Sequence, residues 1–200
     1  TILREFSVTN ILQFIEYTFS SFNITAADVP QFSSIEDCVY KVPHLILASQ
    51  MEDITYGQMG YLLRIEPRTE VADLKYGENH AKVAAQMGLC VIDKHKIYPS
   101  CLGVAFDKLP QESKKNLLPK LTLLIPYIQN VFVNHLTSDE VDKSLSFLSD
   151  TTRKRRLPNV RCILRIILST LGPNALHDRL QMTMQEKVID KKNDTDKAHQ

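Results

Sequence analysis

The sequence has 200 residues, a formal net charge of +1, 44% hydrophobic and 24% charged residues, which argues against disorder and fits one or two domains. No apolar run approaches the roughly 18 residues of a membrane span, and the first ten residues lack a signal-peptide pattern. The scattered cysteines and the absence of a nucleotide or hydrolase motif argue against a disulfide framework, a zinc site or a cofactor. We therefore expect a cytoplasmic protein with no cofactor, no metal and no membrane partner.

The charge is distributed unevenly along the chain. Residues 1–56 carry two basic and seven acidic side chains, whereas residues 150–167 carry six basic and one acidic. Such a dipolar layout suits a protein that presents one basic face to a polyanion, although a solvated helix face has the same composition.

Residues 1–50 are predicted to form an N-terminal helical region. Thr9 and Asn10 can cap a helix that extends to Phe19, and the apolar residues of this helix recur with helical period. An apolar run over residues 39–47 follows, and Pro43 is expected to interrupt it.

The pattern over residues 51–110 predicts two helices, a β-hairpin and a further helix, in that order. A short helix begins at Ile54-Thr55, a helical turn covers Thr69–Asp73, and a clear helix over Glu78–Met87 ends at Gly88. Two short β-type runs, 89–92 and 97–98, flank a polar turn. Ser100 can then cap a further helix. This order of elements is that of a winged helix.

Residues 111–180 are predicted to be helical and to contain a second helix-turn-helix unit. Acidic residues after Thr137 favour one helix start, and Ser149 to Thr152 can cap the next helix. That helix either begins there or, as an alternative, begins at Pro158 with the basic run as the turn. Residues 181–200 read as a polar tail. The predicted fold class is thus mainly α with a small β-hairpin wing.

The helix at 78–87 is a candidate DNA reader. Its spacing predicts that His80, Ala84 and Met87 face the core while the opposite face holds Asn79, Lys82 and Gln86. Asn and Gln pair with adenine, and Lys contacts guanine or phosphate. The hairpin behind it would bring further groups to the phosphates beside the groove, namely Lys94, His95 and Lys96. The alternative is an ordinary solvated polar face.

The basic segment before residue 161 is the second candidate. Hydroxyl groups at a helix start suit a phosphate, and the cationic side chains behind them reach the DNA backbone or bases. Arg155 is expected to be internal and paired with Asp139 or Asp142. The candidate residues of this segment are Thr151, Thr152, Arg153, Lys154, Arg155, Arg156 and Arg161.

These residues support a resemblance over about residues 53–167. The stretch Tyr76–Leu89 with Tyr98–Phe106, and then Ser149–Ile167, resembles winged-helix modules of bacterial restriction-system proteins. The chain departs from their pattern at Pro99-Ser100, where Leu-Thr is usual, and at Ile163 and Ile166, where Trp is common. The resemblance implies duplex DNA recognition, often beside a nuclease domain or subunit. The positions that it carries over are Asn79, Lys82, Arg155 and Arg156, with Tyr76 at the start of the matching stretch.

The predicted function is sequence-specific binding of double-stranded DNA, as the recognition domain of a type II restriction endonuclease or a related defence protein. Three alternatives remain open. A transcriptional regulator uses the same fold, and a protein-interaction scaffold would use the winged helix as a docking surface. A Mg²⁺-dependent nuclease would need an Asp and a D-x-K triplet on strands, a spacing that Asp53 and Asp73-Leu74-Lys75 supply without the required apolar strands.

Overall fold

The computed structural model describes residues 24–51, 53–64, 66, 68–134 and 138–171. The helix expected after Asn10, the helix end at Gly172 and the polar tail over 181–200 lie outside these residues. The described chain is mainly helical with one small antiparallel sheet, so the predicted class is confirmed at that level.

A π-helical segment, Asp37–Lys41, continues without a break into helix α1, Val42–Ala48. Pro43 was expected to interrupt this run, and that expectation is wrong. Pro43 has no N–H to donate, and the wider π-helical turn just before it, in which the Val42 N–H donates to Asp37 O, lets the helix continue past the proline ring. The apolar residues of the run therefore stay in register and are buried in the core, among them Val39, Val42 and Ile46.

Strand β1, Ile54–Thr55, leads into helix α2, Tyr56–Leu63. The Thr55 side chain accepts a hydrogen bond from the backbone N–H of Gln58, and the Gln58 side chain accepts one from the Thr55 N–H. This capping box satisfies two amides that a helix start leaves unpaired, which explains why the helix begins here.

Helix α3 runs over Glu70–Gln86 as one 17-residue helix. The sequence had suggested two pieces, and that division is wrong. Thr69 caps the helix through the Ala72 N–H, and two glycines let α2 cross close to it. A Cβ on Gly77 would lie 1.9 Å from the Tyr56 carbonyl oxygen, and one on Gly60 would lie 1.8 Å from that of Asp73. Gly77 therefore serves the crossing and does not break the helix.

Helix α3 ends in a Schellman motif. Gly88 adopts φ 75°, its N–H donates to Ala85 O at 2.8 Å, and the N–H of Leu89 donates to Ala84 O at 2.9 Å. This left-handed residue turns the chain directly into the sheet.

The sheet consists of β1, β2 (Cys90–Asp93) and β3 (Lys96–Pro99) in the order β1-β3-β2. Ile97 pairs with Ile54 on one side and Ile92 on the other. Lys94 and His95 form the hairpin turn with φ 46° and 68°, as a two-residue turn that matches strand twist requires. The predicted hairpin is confirmed.

Five further helices follow: α4 (Cys101–Asp107), α5 (Gln111–Thr122), α6 (Pro126–Asn134), α7 (Ser138–Ser144) and α8 (Asp150–Leu171). Ser100 caps α4 as expected, accepting from Gly103 N at 2.8 Å. Helix α8 starts at Asp150, so the alternative start at Pro158 is wrong and the basic run is helical. Helix α8 packs against α5 and α6, and buries Val160, Ile163 and Ile167.

Candidate nucleic-acid interface

Helix α3 has one buried and one exposed face. His80, Ala84 and Met87 are buried, as the spacing predicted. Counting along the helix from Val71, every third or fourth residue returns to the exposed side. These side chains are exposed or half-buried, and we call them the α3 ridge: Val71, Leu74, Lys75, Glu78 and Lys82.

Beside the ridge, a cleft of about 330 Å³ separates α3 from α8. The α3 wall carries Asn79, Lys82 and Gln86, and the α8 wall carries Arg155 and Arg156. Two elements that are remote in sequence therefore bring the predicted reader residues and part of the predicted basic segment to one surface. The remaining lining residues are Ala27, Val29, Pro30, Gln31, Lys75, Glu78 and Val83.

The charges that line this cleft are mostly positive. Lys75, Lys82, Arg155 and Arg156 face a single carboxylate, Glu78. Lys82 Nζ lies 2.6 Å from Glu78 Oε1 in a half-exposed i, i+4 ion pair. Within the described parts of the chain, Lys75 and Arg155 form no ion pair, so their charges are available to an anion.

The floor of the cleft is formed by residues 26–34, an irregular stretch that begins with a turn and that we call the bridging segment. Gln86 Nε2 donates to Asp28 O at 3.1 Å from the α3 side. From the α8 side, Arg156 Nη1 donates to the carbonyl oxygens of Ala26 and Val29, the latter at 2.9 Å. Through these bonds, Gln86 and Arg156 hold α3 and α8 to the same segment.

Asn159 and His80 fix the end of the bridging segment. Asn159 Nδ2 donates to Phe32 O at 2.7 Å. His80 Nε2 accepts from the N–H groups of Ser33 and Ser34 at 3.3 and 3.4 Å, and its Nδ1 lies 2.7 Å from Tyr76 O. Nδ1 therefore carries the hydrogen of a neutral ring, and burial lowers the pKa of His80.

Tyr76, a predicted contact residue, lies partly inside the protein. Its hydroxyl donates to Asp37 Oδ2 at 2.9 Å, and burial followed by this bond raises the pKa of Tyr76 to about 12. The Arg64 guanidinium lies 4.4 Å above the ring and also binds Asp73 Oδ1 at 2.6 Å. Tyr76 thus links α3 to the π-helical segment and does not line the cleft.

The basic start of α8 divides into exposed and engaged side chains. Lys154 and Arg155 are exposed, so the expectation that Arg155 is internal is wrong; Arg156, one residue further round the helix, is the half-buried arginine. Arg153 pairs with Asp150 at 2.9 Å, and the Thr152 hydroxyl accepts from Ser149 Oγ.

Two more predicted members of this segment lie at its ends. Thr151 is exposed in the first turn of α8. Arg161 is half-buried and interacts with another part of the chain. Neither residue lines the cleft.

Of the two lysines in the hairpin, one forms no ion pair within the described residues. Lys94 is exposed at the turn, whereas Lys96 Nζ binds Asp53 Oδ2 at 2.7 Å. The His95 ring packs edge-on against Tyr56 with centroids 5.6 Å apart. Tyr56 also contacts α3 at Gly77, so the hairpin turn and α3 flank the same tyrosine.

The D-x-K triplet lies in a different setting from the one a Mg²⁺-dependent nuclease needs. Asp73 and Lys75 are in helix α3, where residues two apart point to different sides. Asp73 is buried against Arg64, and Asp53 binds Lys96. No group of three or more His, Cys, Asp or Glu that could hold a metal ion occurs among the described residues.

Sequence reasoning missed the N-terminal half of the ridge, which contains Val71, Leu74 and Lys75. The signal was available, because Thr69 is a good N-cap and Glu70 and Asp73 are acidic residues in the first turn. A helix started there places Val71, Lys75, Glu78 and Lys82 in one stripe.

Comparison of this chain with protein-family models, with curated proteins and with solved structures finds no match. Among the described residues, no helix is long and apolar enough to cross a membrane.

Proposed function

We propose that this chain is a winged-helix protein that binds double-stranded DNA with sequence preference, as the recognition part of a type II restriction endonuclease or a related defence protein. The observation that carries the proposal is the shared surface of α3 and α8, where Asn79, Lys82 and Arg155 line one cleft. The assignment to a restriction or defence system rests on the sequence resemblance alone.

The order of elements supports the winged-helix assignment. Helix α1, strand β1, helices α2 and α3 and the hairpin β2–β3 follow one another, with β1 pairing to β3. In helix-turn-helix proteins the second helix of the pair enters the major groove and its N-terminal residues contact base edges. Helix α3 is the second helix of the α2–α3 pair, and its exposed ridge supports this role.

In the proposed complex, α3 reads bases and its two flanks hold the backbone. Asn79 pairs with an adenine edge and Lys82 contacts guanine or phosphate. Arg155 and Lys154 on one flank, and Lys94 on the other, bind phosphates. Gln86, Tyr76 and Arg156 each donate a hydrogen bond within the chain, so in this proposal they position the helices and do not contact the DNA.

The test is selection from a random duplex pool, followed by titration of the selected and random duplexes at several salt concentrations. Asn79→Ala should weaken the binding free energy for the selected site by about 1–3 kcal/mol and should change binding to random DNA little. Asn116→Ala, an exposed asparagine on α5, is the matched control and should bind both as the parent protein does. No salt-sensitive binding to any duplex would overturn the proposal.

A further inference from the structure

Two aliphatic side chains stand exposed at the start of the α3 ridge. Val71 is 67% exposed and Leu74 is 46% exposed. They lie three residues apart, so they project from neighbouring positions on one side of the first two turns. Neither side chain contributes to the core.

The chemistry around the pair favours a charged partner that carries small apolar groups. Lys75 directly follows Leu74, it is exposed, and it forms no ion pair within the described residues. Lys82 and Arg155 line the adjoining cleft. Two aliphatic side chains also expose far less than the patches of roughly a few hundred Å² that mark protein–protein interfaces. The surface therefore places two exposed methyl-bearing side chains near the cations Lys75, Lys82 and Arg155 and near the carboxylates Glu70 and Glu78.

The major groove of DNA offers the complementary chemistry. Its only apolar feature is the 5-methyl group of thymine, which aliphatic side chains contact, while the phosphates on either side attract lysine and arginine. Val71 and Leu74 lie in the part of α3 that would enter the groove first.

We infer that Val71 and Leu74 determine specificity by packing against thymine methyl groups in the bound site. This inference rests on the proposed function, because it requires α3 to lie in the major groove. It adds a preference for thymine opposite the N-terminal half of α3, where the polar residues Asn79 and Lys82 do not reach.

The experiment replaces each thymine of the selected duplex in turn with deoxyuridine, which removes only the methyl group. At one or two positions, the affinity of the parent protein should fall about fourfold, the effect of burying one methyl-sized group. Val71→Ala or Leu74→Ala should bind the thymine and deoxyuridine forms equally at the position that each residue contacts. Leu124→Ala, which removes an equally exposed leucine in the turn after α5 (46%), should retain the fourfold difference.

The possible failures are distinguishable. Tight, sequence-dependent binding with no deoxyuridine effect at any position would overturn this inference and leave DNA recognition intact. Absence of binding to every duplex would overturn both proposals. A chain that binds no duplex but self-associates in sedimentation, and loses that association in Val71→Ala, would assign the pair to a protein contact.

Discussion

Arg155 and Arg156 are adjacent in sequence, but replacing one should affect DNA binding and replacing the other should affect stability. Arg155 is exposed on the cleft wall and forms no ion pair within the described chain, whereas Arg156 is bonded to the bridging segment. Arg155→Ala should therefore weaken DNA binding and leave stability unchanged. The main effect of Arg156→Ala should be a lower free energy of unfolding.

The magnitudes follow from the contacts. One phosphate contact contributes about 0.9 to the slope of log K against log salt, so its loss costs about eightfold in affinity near 0.1 M salt. Arg156 makes charge-assisted bonds to two carbonyl groups. Since such bonds contribute about 1.5–3 kcal/mol each when buried, and this side chain is only half-buried, we expect a loss of about 2 kcal/mol in the free energy of unfolding.

Both variants are measured by urea denaturation and by fluorescence anisotropy on one duplex at four salt concentrations. Lys154→Ala, at the exposed position before the pair, should resemble Arg155→Ala. Equal losses of stability in Arg155→Ala and Arg156→Ala would refute the assignment of the two side chains. An unchanged salt slope in Arg155→Ala would refute the phosphate contact.

Three other predictions concern α3 and its surroundings. Gly77→Ala should lower the free energy of unfolding, measured by chemical denaturation, by about 3 kcal/mol, because its Cβ meets an α2 carbonyl. Gly57→Ala, with open space around it, should raise the free energy of unfolding by up to about 1 kcal/mol. Equal effects of the two substitutions would contradict the close crossing. Glu78→Gln removes the carboxylate of the cleft, so it should raise the affinity for all duplexes a few-fold. Anisotropy titrations measure this change, and an unchanged affinity would count against the cleft as the binding surface. Burial lowers the pKa of His80, so its contribution to stability is complete above about pH 6.5 and is lost as the pH falls through the lower folded-state value. His80→Gln should flatten the pH dependence of the denaturation midpoint between pH 7.5 and 5, and a profile identical to that of the parent protein would refute the buried neutral ring.

The features that sequence predicted well are those set by neighbouring residues. The N-cap Ser100, the left-handed Gly88 and the polar turn before β3 each act within a few residues, so their chemistry can be recognised without the fold. The buried face of α3 was likewise predictable from period alone, because His80, Ala84 and Met87 recur with helical spacing.

The features that could not be predicted from the sequence depend on contacts between residues that are far apart in the chain. The continuity of α3 through Gly77 depends on the close approach of α2, which no local pattern encodes. The bond from Arg156 to Val29 spans 127 positions, and it decides which of two adjacent arginines points inward. A one-residue error in helical phase exchanges those roles, because successive residues are about 100° apart around the helix.

In the proposed complex, the α3 ridge and the exposed start of α8 contact one DNA duplex together. This contact can be measured by amide hydrogen exchange with and without the selected duplex. We expect slower exchange over residues 70–82 and 150–156 and no change in α5. Protection confined to α5, or to only one of the two predicted regions, would contradict it.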